Sequence, residues 1–462
     1  MAHDCLFCCI YLSKITILDN LFCLHCRPHN EKNKFPGEDF LEKLSLKDCL
    51  HKKLSICEFT TIKSMKEENP QKLEDLPFYF LNKLLMNNSK ARKTTFQKSN
   101  KGESCASSEC LDFYDFVSSE EEITEIAVNP LDVINAVFLC SDPFLQQELL
   151  RKMSMCQFAL PFVIPDVINQ KHILLLHGLR SISKEWRQHS CQGKGFIEDC
   201  MAVHPFPIIS FVRLGQCSLS KSKTINEALT DGNHDIFLHR DIDGGNCPRK
   251  ISEGMIEVSW YLPRGKEDTD HFPEPFTVMN MRGDVTEQPH SHIQFLTQVS
   301  TAVFFFVENI TEKGYDVLSS TCSPEKGTHV IIKMVEQGSE NTQRFIEKLW
   351  NEGKINKDCT LILKANMNNA EFLGKLRTLM KKALCEGKMS LEQVAEEARK
   401  CFICIYEDDD ESRSGDKSAQ IVLNEINGKT SAMCKKDHLY LQGRFWEKWI
   451  KLDMFRGFLC CG

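Results

Sequence analysis

The run Pro207-Ile208-Ile209-Ser210-Phe211-Val212-Arg213-Leu214 is almost wholly apolar and β-rich. It empties into Gly215-Gln216-Cys217-Ser218-Leu219-Ser220-Lys221-Ser222. A strand that ends in a polar loop closed by Lys-Ser has the layout of a phosphate-binding loop. The usual pattern is G-x-x-x-x-G-K-[ST], and Ser220 stands where its second glycine would be. Phosphates need inward-pointing N–H groups and a helix N-terminus to lie against. In this reading Gly215 makes the exit from the strand, and the amides from Ser218 through Ser220 to Ser222 line the cradle. Lys221 reaches the β- and γ-phosphates, and the Ser222 hydroxyl ligates Mg²⁺. A Cβ at Ser220 is expected to crowd the backbone or the phosphates. The bland alternative is an ordinary polar strand–helix turn.

Downstream of the loop, the hydrophobic pattern supports an α/β domain. Strands are expected at 207–214, 255–262, 276–281, 302–307, 329–335 and 359–366. Helices are expected at 221–229, 287–300, 340–352, 368–386 and 389–401. Apolar runs that alternate with helices argue for a mostly parallel sheet with helices on both faces. Asn280-Met281-Arg282-Gly283 comes directly after one strand and resembles a D-x-x-G turn with Asn280 in place of the acid. Gly283 is placed to meet a terminal phosphate, and Asp284 is a candidate for the missing Mg²⁺ charge. A base-reading motif is weak: only Leu363-Lys364-Ala365-Asn366 stands after a later strand. Arg240 and Arg249 are the candidates for an arginine finger, with a structural or solvated role as the alternative.

The 462 residues suffice for several domains. Residues 1–35 form a Cys-rich, irregular leader, 36–88 a helical module with Pro77 in a first helical turn, and 89–122 a polar linker running from basic to acidic. Residues 123–200 are expected to be a helical domain, with Asn129-Pro130 and Asp142-Pro143 as cap-then-proline starts. The α/β domain spans 201–440, and 441–462 begins a truncated C-terminal region. The acidic run 407–411 reads as a solvated loop.

A net charge of −7 argues against nucleic acid as a partner. No apolar run approaches the ~18 residues of a membrane span, and the apolar stretch 5–12 is a poor signal peptide. The 23 Cys are scattered and mostly lie in apolar runs, as expected of a reducing compartment. Cys5, Cys8, Cys23 and Cys26 have near zinc-ribbon spacing, but the apolar segment between them argues against zinc. Cys460-Cys461 lacks a prenylation box. His290 and His292 are expected on a solvated loop.

Longer stretches carry a family resemblance. They include Leu76-Pro77-Phe78-Tyr79-Phe80-Leu81, Asp132-Val133-Ile134-Asn135-Ala136-Val137-Phe138-Leu139-Cys140 and Lys152-Met153-Ser154-Met155-Cys156-Gln157-Phe158. Arg213-Leu214-Gly215 through Ser222, Ile256-Glu257-Val258-Ser259-Trp260-Tyr261-Leu262-Pro263 and Asn280-Met281-Arg282-Gly283-Asp284 belong with them. In these residues the chain resembles the very large interferon-inducible GTPase family, of the dynamin-like kind, and its relative the up-regulator of cell proliferation. The resemblance covers about residues 36–455. It implies an α/β P-loop GTPase-like domain preceded by a mainly α-helical region, binding GTP or GDP with Mg²⁺. It also implies protein partners including self-association, cytoplasmic and nuclear residence, and a role in interferon response or growth control. Ser220 and Asn280 match the family pattern. Members are longer, so the chain is expected to be a short or truncated one. Two functions stay open: GTP binding with slow or partner-stimulated hydrolysis, or a non-catalytic interaction protein that keeps the fold.

Overall fold

The computed structural model describes residues 37–59, 70, 72–94, 128–189, 195–322, 327–333, 339–363, 367–384, 387–408, 410–438 and 448. The expected zinc set, the end of the base-reading stretch and Cys460-Cys461 lie outside them.

The strands are β1 (Leu160–Asp166), β2 (Lys171–Leu174), β3 (Ser183–Trp186), β4 (Ile197–Cys200), β5 (Ile208–Leu214), β6 (Ile256–Tyr261), β7 (Phe276–Met281), β8 (Ala302–Val307), β9 (Gly327–Lys333), β10 (Thr360–Leu363) and β11 (Cys404–Ile405). Nine of them form a central sheet in the order β10-β9-β8-β5-β7-β6-β1-β2-β11, and β3 and β4 form a separate hairpin. β5, β7, β8, β9 and β10 run parallel, while β6 and β1 pair antiparallel at one side. Alternation builds a core on each face of this sheet. In β8, Val303, Phe305 and Val307 join one apolar cluster, and Ala302, Phe304 and Phe306 the other.

Helices cover both faces. The main described ones are α1 (Glu38–Lys43), α2 (Leu76–Leu85), α3 (Pro130–Cys140), α4 (Pro143–Met155), α5 (Lys221–Thr230), α6 (His290–Val299), α7 (Glu312–Thr321), α8 (Ser339–Asn351), α9 (Asn369–Ala383), α10 (Leu391–Lys400) and α11 (Asp410–Ile426). Ile225, Ala228 and Leu229 of α5 share a core with Leu376 and Met380 of α9. Ile293 and Leu296 of α6, Leu349 of α8 and Val394 of α10 pack into the other. Both cap-then-proline starts form: Asn129 Oδ1 accepts from Leu131 N at 3.1 Å and Asp142 Oδ1 from Leu145 N at 2.7 Å.

The structure differs from the sequence reading in several places. Among the described residues of 123–200, α3, α4 and a short turn at Leu176–Leu179 are helical; the rest of the regular structure is β1 to β4. Residues 160–165 are buried on both faces between β2 and β6, so they show no period that separates strand from helix. A register shift between Pro161 and Val163 accommodates the first proline. Because β1 pairs with β6, no boundary falls at residue 200, and the described residues from Gly37 onward form one compact unit. Of the linker expected over 89–122, the described residues 89–94 belong to the fold. Arg92 is buried, with its guanidinium 3.8 Å from the centre of the Phe158 ring and Nη1 donating to Ile236 O at 3.0 Å. Helix α7 lies outside the expected set. The acidic run is not a free loop, since Glu407 pairs with Arg180 at 2.7 Å and Asp408 with Arg399 at 2.8 Å.

His292 is buried on α6 rather than solvated, edge-on to His172 at 4.0 Å. Burial, with His172 beside it, holds its pKa down at about 3. Burial, with Lys382 adding, holds His329 at about 4, stacked on Phe304. Both stay neutral in the fold, while the unfolded chain takes up protons below its ordinary value near 6.5. Stability is therefore expected to fall as pH drops through 6.5 toward 4, by about 2 kcal/mol per buried histidine at pH 5. Urea midpoints at pH 7 and pH 5 measure this. His329→Phe keeps the stack and should flatten the slope; an unchanged slope would clear His329 of the effect.

Candidate functional site

The loop after β5 sits at the carboxyl end of the parallel strands, between β7 and β8. The chain leaves β5 toward β6 and β7 on one side, and leaves its neighbour β8 toward β9 on the other, which is where open α/β sheets bind ligands. Gly215 has φ +71°, the left-handed conformation that glycine adopts freely. Ser220 caps α5 with φ −76° and ψ 96°, an extended conformation open to any residue. The backbone therefore does not require glycine at 220, which removes one of the two expected costs of that substitution. Gly283 has φ +85°, and a Cβ there would collide with Glu253 Oε2.

Lys221 and Ser222, the first residues of α5, are both buried. Lys221 Nζ donates to Met281 O at 2.8 Å, to Phe211 O at 3.4 Å and to Asn280 Oδ1. Burial pushes its pKa well below the usual lysine value, and the nearby Arg282 and Arg213 add to the shift. The Asn280 amide is oriented without ambiguity. Its oxygen must face the ammonium, which only donates, and its nitrogen faces the Glu257 carboxylate at 3.3 Å. The same nitrogen donates to Ser222 Oγ at 3.2 Å.

Arg282 ties the site together. Its Nε meets Glu257 Oε2 at 2.5 Å, and its Nη1 donates to Ser222 Oγ at 2.8 Å and to Leu238 O at 2.7 Å. Asp284 Oδ1 accepts from Gly215 N at 2.9 Å and from Thr286 N at 3.0 Å, so it clamps the loop's first glycine. Glu308, at the end of β8, accepts from the Ser218 amide and from Ser218 Oγ at 2.6 Å. Arg240 donates to Ser218 O, and Arg249 pairs with Glu253 at 2.8 Å.

Of these residues Ser220, Lys221, Ser222, Arg240, Arg249, Arg282 and Gly283 line a cavity of about 110 Å³. Five cationic side chains line it: Arg213, Lys221, Arg240, Arg249 and Arg282. Arg213 Nε, Arg249 Nε and Arg282 Nη2 are buried without a hydrogen-bond partner. Unpaired buried donors are costly and rare. Three of them on the guanidinium groups of residues that line one cavity suit an anion with many oxygens. They do not suit a bare divalent cation. Both acceptor positions of Ser222 Oγ are taken by donors, and Asp284 and Glu257 are engaged elsewhere.

The far wall of the cavity comes from the segment after α5, and α3 holds it. Buried Asp132 accepts from Lys250 N at 2.7 Å, Ile251 N at 3.0 Å, Ser252 N at 2.9 Å and Ser252 Oγ at 2.6 Å. Asn135 Nδ2 donates to Ile251 O at 2.7 Å, and Asn129 Nδ2 to Cys247 O at 2.7 Å.

All the loop residues singled out in the sequence thus meet here, together with Gly283, Asp284, Arg240 and Arg249. Arg213, Glu257 and Arg282 carry no role in the sequence reading. A lone acid in Ile256-Glu257-Val258 is the available signal, because a carboxylate buried in a strand needs a cation.

The family described as Up-regulator of cell proliferation-like domain matches residues 128–423, and its N-terminal domain matches residues 38–110. The chain is 36% identical to the human protein Up-regulator of cell proliferation, covering 89% of this chain and 45% of that one. For the mouse protein the identity is 36%, over 87% of this chain and 44% of that one. Human Interferon-induced very large GTPase 1 is 30% identical over 92% of this chain and 18% of its own length. The chain thus spans less than half the length of these curated relatives.

Proposed function

The chain belongs to the Up-regulator of cell proliferation-like family, and from that premise we propose that its β5–α5 loop binds a guanine nucleotide. Gly215, Ser218, Ser220, Lys221, Ser222 and Gly283 form the phosphate side of the site. The observation that carries this reading is the set of cationic side chains lining one cavity, Lys221 among them, of which Arg213, Arg249 and Arg282 each keep a buried guanidinium nitrogen without a partner. The position of the loop at the switch point of the sheet supports it. Guanine is the base that the name of the very large GTPase relative suggests. Hydrolysis is slow or depends on a partner: Glu257, the carboxylate nearest Ser222 through Asn280 and Arg282, is committed to those two side chains and cannot serve as a base.

The second reading is a non-catalytic interaction protein that keeps the fold. It draws on Lys221, whose three N–H groups all find acceptors inside the protein and so must be released before they meet a phosphate. Either role belongs to interferon or growth signalling in cytoplasm and nucleus, with protein partners that include further copies of the chain. Titration of a fluorescent GTP analogue, with unlabelled GTP and ATP as competitors, tests the first reading. Saturable binding displaced by GTP at lower concentration than ATP is expected. A folded chain that binds neither leaves only the scaffold.

A further inference from the structure

The cation that would sit beside Ser222 is already supplied by the protein. Resting on the nucleotide reading, we infer that this site binds a nucleoside polyphosphate without a divalent metal, the Arg282 guanidinium taking the metal's place. A metal ligand must offer a lone pair. Ser222 Oγ has two, and Arg282 Nη1 at 2.8 Å and Asn280 Nδ2 at 3.2 Å point donors at both. The hydroxyl proton is left over, and it can be given to a phosphate oxygen but not to a metal.

The acid that would hold a hydrated metal through its waters is also replaced. Position 280 carries a neutral amide whose nitrogen is turned toward Ser222, and Asp284 is spent on two backbone amides. Glu257 is the buried carboxylate that touches this set, and it neutralises Arg282 itself at 2.5 Å. Arg282 is fixed on three sides, by Glu257, Ser222 and Leu238 O. Its remaining Nη2 has no partner, on a residue that lines the cavity and is only 5% exposed. The uncommitted Nη2 of so rigid a guanidinium can donate to a single phosphate oxygen that reaches it. Four further cations around the same cavity oppose entry of a bare divalent ion and favour a polyanion.

The test is a titration of the whole chain with a fluorescent GTP analogue, once with excess Mg²⁺ and once with excess EDTA. The dissociation constants are expected to agree within about threefold. Replacing the ion pair by amides, Arg282→Gln with Glu257→Gln, avoids a lone buried carboxylate. It should weaken binding about 30-fold or more in both buffers, with the fold checked by circular dichroism. Binding that needs Mg²⁺ would overturn the inference and leave the nucleotide site standing. Metal-free binding that the double variant keeps would remove Arg282 from the role. A folded wild type that binds in neither buffer would end the nucleotide reading, and this inference with it.

Discussion

Asp132→Ala is expected to cost about 4 kcal/mol of folding stability, a large value for one side chain. The carboxylate lies wholly inside the protein and accepts four hydrogen bonds from Lys250, Ile251 and Ser252. Alanine would leave three backbone N–H groups and a hydroxyl without a partner, at about 1–3 kcal/mol for each group that water cannot reach. Relaxation of the segment recovers part of that sum. Asp132→Asn should cost less, because its oxygen can still serve one side. Its NH₂ would then face another donor, at Lys250 N or at Ile251 and Ser252. Urea denaturation followed by circular dichroism gives both values. If alanine costs under about 1 kcal/mol, the carboxylate does not hold the segment. Because Arg249 adjoins the same stretch and lines the cavity, the alanine variant should also bind anions more weakly.

Lys221→Met is expected to lower affinity for a GTP analogue about 100-fold while the protein stays folded. An ammonium bonded to phosphate oxygens contributes about 1.5–3 kcal/mol for each charged contact, and each 1.4 kcal/mol is a factor of ten. Methionine fills a similar volume without the charge. It leaves Phe211 O, Met281 O and Asn280 Oδ1 short of one donor, while removing an ammonium that burial has already driven far below its usual pKa. These two effects oppose each other, so stability should move much less than affinity. Equal affinity in the variant would place the nucleotide elsewhere.

The strands β5 to β10 are legible in the sequence because apolar runs of strand length alternate there with amphipathic helices. β1 is not. Residues 160–165 are apolar on both faces, and their strand partner is β6, whose residues come some ninety positions later in the chain. The strand–loop–helix course from Ile208 to Thr230 is legible because an apolar run empties into a polar loop and then a helical pattern. The partners that set its electrostatics are not, since no local pattern links Arg282 to Glu257, or Asp132 to residues 250–252. His292 goes astray for the same reason: the helix it opens hides it against β2, and nothing near it in sequence announces that wall.

The edge of the sheet also bears on how the chain reaches its fold. β1 and β2 are its first described strands to be synthesised, yet β1 waits for β6, and β2 is covered on its far side by β11, the last described strand. Until Cys404 and Ile405 arrive, the hairpin offers an open edge of apolar, hydrogen-bonding backbone to any neighbouring chain. Contacts so distant along the sequence form slowly, because the loop between them must first be closed. A nascent or prematurely ended chain therefore carries a risk of aggregation at this edge.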